Sequence, residues 1–266
     1  GRLLIFPNVR RAGKSTLSVA LAAEGHGLVG DDVVPLAFDA QGRAWARALG
    51  LQPRLRLPLP EGASDAFRAQ VMAPGGAQNR QYRYVSLQGQ PVHGTLFPDP
   101  TFVILDRRDR PVPARIEAVS ADQAMDVLLF QNFTRDRHSG DVLRAIAPML
   151  AAEPVFRLSY SDLGGAARCL QERFSQGPVR SVRSDAPELP PFRMADLGGH
   201  PPCAPGPGQP LRQRPGVETQ RIGETLYLAD PEGMRIHRMD ALAALIWDLA
   251  TSPITQAELA TILAEA

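Results

Sequence analysis

The chain has 266 residues, a length that suits one large domain or a medium one joined to a small one. Lys+Arg number 29 against 28 Asp+Glu, and a net charge of +1 excludes a protein that holds nucleic acid non-specifically by charge. No run of about 18 apolar residues exists, which excludes a membrane-spanning helix, and Cys169 and Cys203 make neither a metal spacing nor a disulfide framework, so a cytoplasmic protein is expected. The chain opens at Gly1 without a methionine, so the reading leaves room for a segment before it.

Arg2–Phe6 is a short apolar run, read as a buried parallel strand. Pro7 to Gly13 breaks it, and Ser15–Glu24 follows as a helix with Gly25 as its C-terminal cap. Gly27–Gly30 predicts a second brief strand ending in Asp31-Asp32. Val33–Phe38 and Arg43–Ala46 flank Asp39-Ala-Gln-Gly42 and predict a hairpin. Residues 50–100 read as irregular, rich in Pro, Arg and Gly, with one strand at Tyr82–Leu87; Thr101–Leu105 predicts a strand ending in Asp106. Ser120 with Gln123 reads as a capping box that opens a helix to about Phe133. Asp141–Ala152, Val155–Tyr160 and Gly164–Phe174 then predict helix, strand and helix, an alternation that argues for an α/β layered domain. Composition shifts at Ala186–Pro215, where Pro-Pro pairs and Pro-Gly steps predict a linker. Beyond it, Thr225–Ala229 and Met234–Met239 flank the turn Asp230-Pro-Glu-Gly233, followed by a helix over Ala241–Ala250 and a last helix capped by Thr255 with Glu258. Residues 216–266 carry three basic and eight acidic residues, a net of −5, which leaves +6 on residues 1–215.

Of the 29 basic residues, 28 are arginine; the sole lysine is Lys14, in Gly13-Lys14-Ser15-Thr16. Strand, loop and a helix that begins at Gly-Lys-Ser-Thr is the context of a Walker A phosphate-binding loop. Backbone N–H groups and the helix dipole there favour an anion. Asn8, Arg11, Ala12, Gly13, Lys14, Ser15 and Thr16 are therefore the candidate nucleotide-binding residues, with Lys14 reaching the β/γ-phosphates and Ser15 holding Mg²⁺. The first glycine of the pattern falls at Asn8, a residue that tolerates left-handed backbone, and the Arg11 side chain needs room away from the phosphates. The alternative is an ordinary strand–turn–helix with an incidental lysine.

Asp31 and Asp32 end a strand expected beside that loop, and offer one carboxylate as a base and another for Mg²⁺ or its waters. Asp106 reads either as a further metal-facing carboxylate or as part of a charged turn. Arg54, Arg56, Arg80 and Arg83 can clamp phosphate or an acidic peptide, or make surface ion pairs. His93 and His138 read as structural.

Ala12-Gly-Lys-Ser-Thr-Leu17 followed by Gly25-His-Gly-Leu-Val-Gly-Asp-Asp-Val-Val34 resembles the catalytic domain of HPr kinase/phosphorylase and its relatives. Those proteins pair a Walker A loop with Gly-x-x-Leu-(Val)-x-Asp-Asp one helix later, and the 17 residues from Lys14 to Asp31 fit. The resemblance implies that Asp31 acts as the base on a serine hydroxyl, with Asp32 as its neighbour. Arg80-Gln-Tyr-Arg-Tyr84, Phe102–Arg107 and Phe156–Asp162 look like the looser HPr-kinase-related proteins of bacterial peptide-modification clusters. The likeness covers about residues 1–175 and is specific over the first 35. The family's catalytic histidine would fall before Gly1, and the Gly-rich signature of phosphorolysis has no copy here, so kinase rather than phosphorylase activity is implied.

Leu226–Asp240, Ala244-Leu-Ile-Trp-Asp-Leu249 and Ile254-Thr-x-x-Glu-Leu259 are similar to the PqqD family of small winged-helix-like peptide chaperones. That resemblance implies binding of a leader peptide by β-augmentation on an edge strand formed by Met234, Arg235, Ile236, His237, Arg238 and Met239. A docking or dimerisation appendage is the bland alternative. Ile246 and Trp247 read as core.

The expectation is thus an α/β protein: a P-loop, HPr kinase-like domain with a mixed sheet over 1–185, a linker over 186–215, and a small α+β winged-helix-like domain over 216–266, cut short at its C-terminus. Its expected work is ATP- and Mg²⁺-dependent phosphorylation of a Ser/Thr hydroxyl on a peptide or small protein, a natural-product precursor held by the C-terminal module. No nucleic-acid or membrane partner is expected, and self-association is left open. The rival is a degenerate nucleotide- and peptide-binding adaptor that presents peptides to other enzymes.

Overall fold

The structure is a computed structural model and describes residues 2–60, 62–134, 136–175, 193–196, 206 and 208–265. In chain order its elements are β1 (Leu4–Ile5), α1 (Lys14–Ala23), β2 (Leu36–Phe38), β3 (Ala44–Arg47), β4 (Arg54–Arg56), α2 (Asp65–Met72), β5 (Tyr82–Tyr84), β6 (Leu96–Pro98), β7 (Thr101–Arg107) and β8 (Arg115–Ala118). There follow α3 (Ala121–Phe130), α4 (Ser139–Ala152), β9 (Phe156–Tyr160), α5 (Leu163–Phe174), β10 (Glu218–Ile222), β11 (Thr225–Ala229), β12 (Ile236–Met239), α6 (Ala241–Leu249) and α7 (Gln256–Glu265). They divide into two compact units, Gly1–Val119 with Ala152–Pro190, and Ser120–Ala151 with Pro191–Ala266.

The first unit is built on a four-stranded mixed sheet of order β1-β7-β9-β8, in which β7 runs parallel to β1 and β9 while β8 is antiparallel at the edge. Thr101–Leu105 are all buried, as a central strand covered on both faces requires. Val103 and Leu105 meet Leu17 of α1 and Leu170 of α5 in one core. Val19 and Ala20, one turn of face away on α1, enter a second core with Leu55, Phe67, Val71 and Val85. Helix α1 is thereby clamped from two sides, which fixes the loop that precedes it. The predicted hairpin is present, with β2 and β3 paired antiparallel and β6 added beside β3.

Two sequence expectations in this unit differ from the structure. Residues 27–30 form no strand; Leu28 buries its side chain in the second core without backbone pairing. The stretch 50–100 is less irregular than expected, because it contains α2 and the β4–β5 ribbon. Ser64 caps α2 by accepting from the Phe67 N–H, and Arg83 closes its other end. Arg83 is buried and donates from Nε to the Val71 carbonyl and from Nη2 to the Ala73 carbonyl, both at 2.6 Å. It satisfies the orphan carbonyls of a helix end and is not a phosphate clamp.

The second unit holds a meander of order β10-β11-β12. Tyr227 and Arg238 share one face, where the buried Tyr227 hydroxyl donates to Asp126 Oδ1 of α3 at 2.8 Å and Arg238 pairs with the same carboxylate at 3.1 Å. Leu226 and Leu228 face the other way and pack with Ala244 and Trp247 of α6. Ile246 packs in a further cluster with Ala250, Ile254 and Leu259. Helices α3 and α4 therefore group with residues 191–266, whereas the sequence reading assigned them to the segment 1–185. Of the expected linker, 186–192, 197–205 and 207 lie outside the described residues; in the rest, Leu211 pairs by both backbone groups with Ile254 and Met194 bridges Arg137. Among the described residues no helix is long and apolar enough to cross a membrane.

Candidate functional site

The loop between β1 and α1 is held at its start by Asn8. Its carboxamide brackets Leu105 of β7, donating to the carbonyl at 2.9 Å and accepting the N–H at 2.7 Å. Asn8 works through its side chain as a tether, and its backbone is not left-handed; the left-handed residues are Arg11 (φ 68) and Gly13 (φ 89). The Arg11 side chain is exposed. Ala12 lies between these two positions, and such an alternation turns successive N–H groups toward one side, the geometry of an anion-binding concavity. The N–H groups of 9–13 donate to no backbone group among the described residues.

Gly13 is also a close-approach position, because a Cβ there would lie 2.8 Å from the hydroxyl of the buried Tyr160. Burial pushes the Tyr160 phenol above its usual range, so it stays a neutral wall behind the loop. Helix α1 begins at Gly13 with no side-chain cap and no acidic residue in its first turn. Its partial positive charge thus stays open toward the loop. Lys14 folds its ammonium back onto the carbonyls of Asn8 at 2.7 Å and Val9 at 2.9 Å. Burial lowers its pKa from the usual 10.5, against the opposing pull of Asp31 and Asp32.

Ser15 donates to Asp31 Oδ1 at 2.7 Å, and the Arg54 N–H donates to Oδ2 at 3.0 Å. Asp31 therefore reaches the first turn of α1 without the strand expected to carry it. Asp32 takes left-handed backbone (φ 54), stands more exposed, and meets Arg54 Nη2 at 3.4 Å. Thr16 follows half-buried on the first turn. Asp106, at the end of β7, accepts from Ser159 at 3.0 Å and Arg108 at 2.5 Å. No hydrogen bond or ion pair joins it to Lys14, Ser15, Asp31 or Asp32 among the described residues, and it lies within β7, paired with Ser159, rather than in a turn. No group of three metal-ligating side chains occurs among the described residues. The donors that come together, Ser15, Asp31 and the adjacent Asp32, are hard oxygens of the type Mg²⁺ takes alongside substrate phosphates.

The sequence reading missed the Arg54 main chain and Tyr160 as parts of this site. An alternation was available at Arg54-Leu55-Arg56, which is exposed, buried, exposed. Nothing in the sequence announced that its backbone would meet Asp31.

In the second unit, β12 is an edge strand. The Asp230 N–H donates to the Arg235 carbonyl, so hydrogen-bonded pairs fall at Arg235, His237 and Met239, and the backbone groups of Ile236 and Arg238 face outward. The N–H groups of Met234 and Arg235 are taken by the Asp230 side chain, and the Arg235 carbonyl also accepts from Ser139. The usable edge is therefore Ile236–Met239, shorter than the six residues expected. Its Arg238 side chain is turned to Asp122 and Asp126.

No protein-family model, curated protein or solved structure matches the chain.

Proposed function

We propose that the chain is an ATP-dependent Ser/Thr kinase of the HPr-kinase-like P-loop type whose acceptor is a peptide or small protein. The observation that carries the reading is the Ser15–Asp31 hydrogen bond, beside a lysine and a loop whose N–H groups are open to an anion. The N–H groups of the loop and first turn bind the phosphates, and the Lys14 ammonium leaves the Asn8 and Val9 carbonyls to meet them. Ser15 and Asp32 would hold Mg²⁺, which when bound offsets phosphate charge. Asp31 is held at Oδ2 by the Arg54 N–H, so its Oδ1 accepts the proton of the acceptor hydroxyl once Ser15 has turned away. That hydroxyl oxygen attacks the γ-phosphorus, and ADP leaves.

The winged-helix-like module would hold the peptide along the Ile236–Met239 edge, and its place on the same chain raises the local concentration of a weakly held acceptor. The second reading, an adaptor without transfer, is favoured by one feature: both Asp31 oxygens are already engaged, by the Ser15 hydroxyl and the Arg54 N–H, which leaves neither free for an acceptor hydroxyl.

Calorimetry of Mg²⁺-ATP on the wild type and Lys14→Ala tests the first step, with binding expected only in the wild type; no binding in either overturns the nucleotide reading. Asp31→Asn should then retain binding and lose about 10²–10⁴-fold in transfer. Nucleotide binding with no transfer by the wild type would leave the adaptor.

A further inference from the structure

We propose that Arg54, Tyr82 and Arg56 form a platform for a carboxylate or phosphate group carried by the phosphoryl acceptor, one or two residues from its hydroxyl. The inference rests on the kinase reading only where it names the ligand as the acceptor. Pairing of β4 with β5 sets Arg56 opposite Tyr82, with Arg54 two residues along on the same face of its strand. The guanidinium carbon of Arg54 lies 4.6 Å from the Tyr82 ring centroid and that of Arg56 at 5.8 Å. Arg56 also donates to the Tyr82 hydroxyl at 3.3 Å.

Stacking on an aromatic ring pre-orders a planar guanidinium, so less side-chain entropy is lost when it grips an anion. The charge here is not spent internally. Arg56 and Arg10 have no ion pair among the described residues, and the Arg54–Asp32 contact at 3.4 Å is loose. Arg56, by its hydrogen bond and its charge, and then Arg54 and Arg10 hold the Tyr82 phenol below its usual pKa. Two guanidiniums on one half-buried aromatic make a local positive field that favours an anionic partner.

Position gives the platform its meaning. Arg54 fixes Asp31 with its main chain while its side chain belongs to the platform. From Arg54 to Arg56 the strand advances about 7 Å, the span of one or two residues of an extended peptide. A hydroxyl that faces Asp31 is thus best accompanied by an acidic or phosphorylated residue one or two positions away.

The test is anisotropy titration of the full chain with two rhodamine-labelled peptides, one with Ser flanked by Asp and Glu, the other with Asn and Gln in their place. The acidic peptide should bind about tenfold tighter, and raised salt should erase the difference. Arg56→Gln should abolish the preference, Arg56→Lys should restore part of it, and the melting temperature should report both variants folded. Equal binding of the two peptides overturns the proposal, as does a preference that survives in folded Arg56→Gln. Inorganic phosphate bound as tightly as the acidic peptide overturns the acceptor assignment and makes the platform a free-anion site. Calorimetry with Mg²⁺-ATP is read separately, so failure of the kinase reading is distinguishable from failure of the platform.

Discussion

Arg11 carries a Cβ into left-handed backbone, a conformation that costs a non-glycine residue about 1–2 kcal/mol. Its side chain is exposed, and no hydrogen bond or ion pair holds it among the described residues. Arg11→Gly should therefore raise the melting temperature and leave Mg²⁺-ATP affinity within about threefold, whereas Arg11→Val, β-branched, should lower it. A lower melting temperature in the glycine variant would show that Arg11 makes a compensating contact. Lys14 gives a pH prediction. Its folded pKa lies below the 10.5 of the unfolded chain, so between those values the unfolded chain holds the extra proton and the lysine's contribution to stability rises with pH. Phosphate binding needs the ammonium, so nucleotide affinity should begin to fall at a pH below the ordinary 10.5; affinity that stays flat up to 10.5 contradicts it. At this scale Lys14, Ser15 and Asp31 were legible because their chemistry and spacing lie within one local stretch. The tether made by Asn8 was not, since Leu105 is 97 residues away and pairing between strands leaves no mark at the asparagine.

Among the elements, caps were readable where both partners are local, although only one of the two capping boxes came out as written. Thr255 and Glu258 form the full box: the Glu258 carboxylate accepts from the Thr255 N–H and the Thr255 hydroxyl accepts from the Glu258 N–H. Those bonds hold the Glu258 carboxyl below its usual 4.5, so the cap is intact above that pH and is lost as pH falls through the folded value. Amide protection in the first turn of α7 should fall over that interval, and Glu258→Gln should remove that pH dependence. Ser120 opens α3 but makes no side-chain cap bond there. The strand misread at 27–30 and the helix missed at Asp65–Met72 have one cause: short apolar sets do not declare their period, and tertiary burial decides. The β12 edge yields a sharper prediction. Because the Ile236 N–H faces outward, Ile236→Pro removes no ladder bond and should leave the fold standing. The variant should lose binding of an extended peptide, read by anisotropy; retained binding sends the peptide elsewhere on the unit.

At the scale of the whole molecule, the chain does not divide where its composition changes. The proline-rich stretch before residue 216 suggested that 216–266 stands alone, but Ser120–Ala151 belongs to the same compact unit. The physical reason lies in Tyr227, fully buried in β11, whose hydroxyl ends on the Asp122 carbonyl and the Asp126 carboxylate of α3. Burial, followed by the Asp126 carboxylate, drives its phenol far above the usual range, so the hydroxyl stays protonated on its α3 acceptors. His138 adds a second tie. Its ring accepts the Gly140 N–H at Nδ1, its Nε2 meets the Pro231 carbonyl at 3.2 Å, and it leaves no room for a Cβ at Gly233. A fragment of residues 216–266 exposes one face of its meander, strands the Tyr227 hydroxyl, and is too short to bury a compensating core. It should be unfolded by circular dichroism and near-ultraviolet signals, while the full chain holds Tyr227 protected from titration to the highest pH it survives. Asp126→Ala in the full chain isolates the contact: the Tyr227 hydroxyl keeps the Asp122 carbonyl as acceptor, so the loss should be that of one hydrogen bond, about 0.5–1.5 kcal/mol. A 216–266 fragment that melts cooperatively would place the module's boundary back at the composition change and make α3 and α4 an accessory to it.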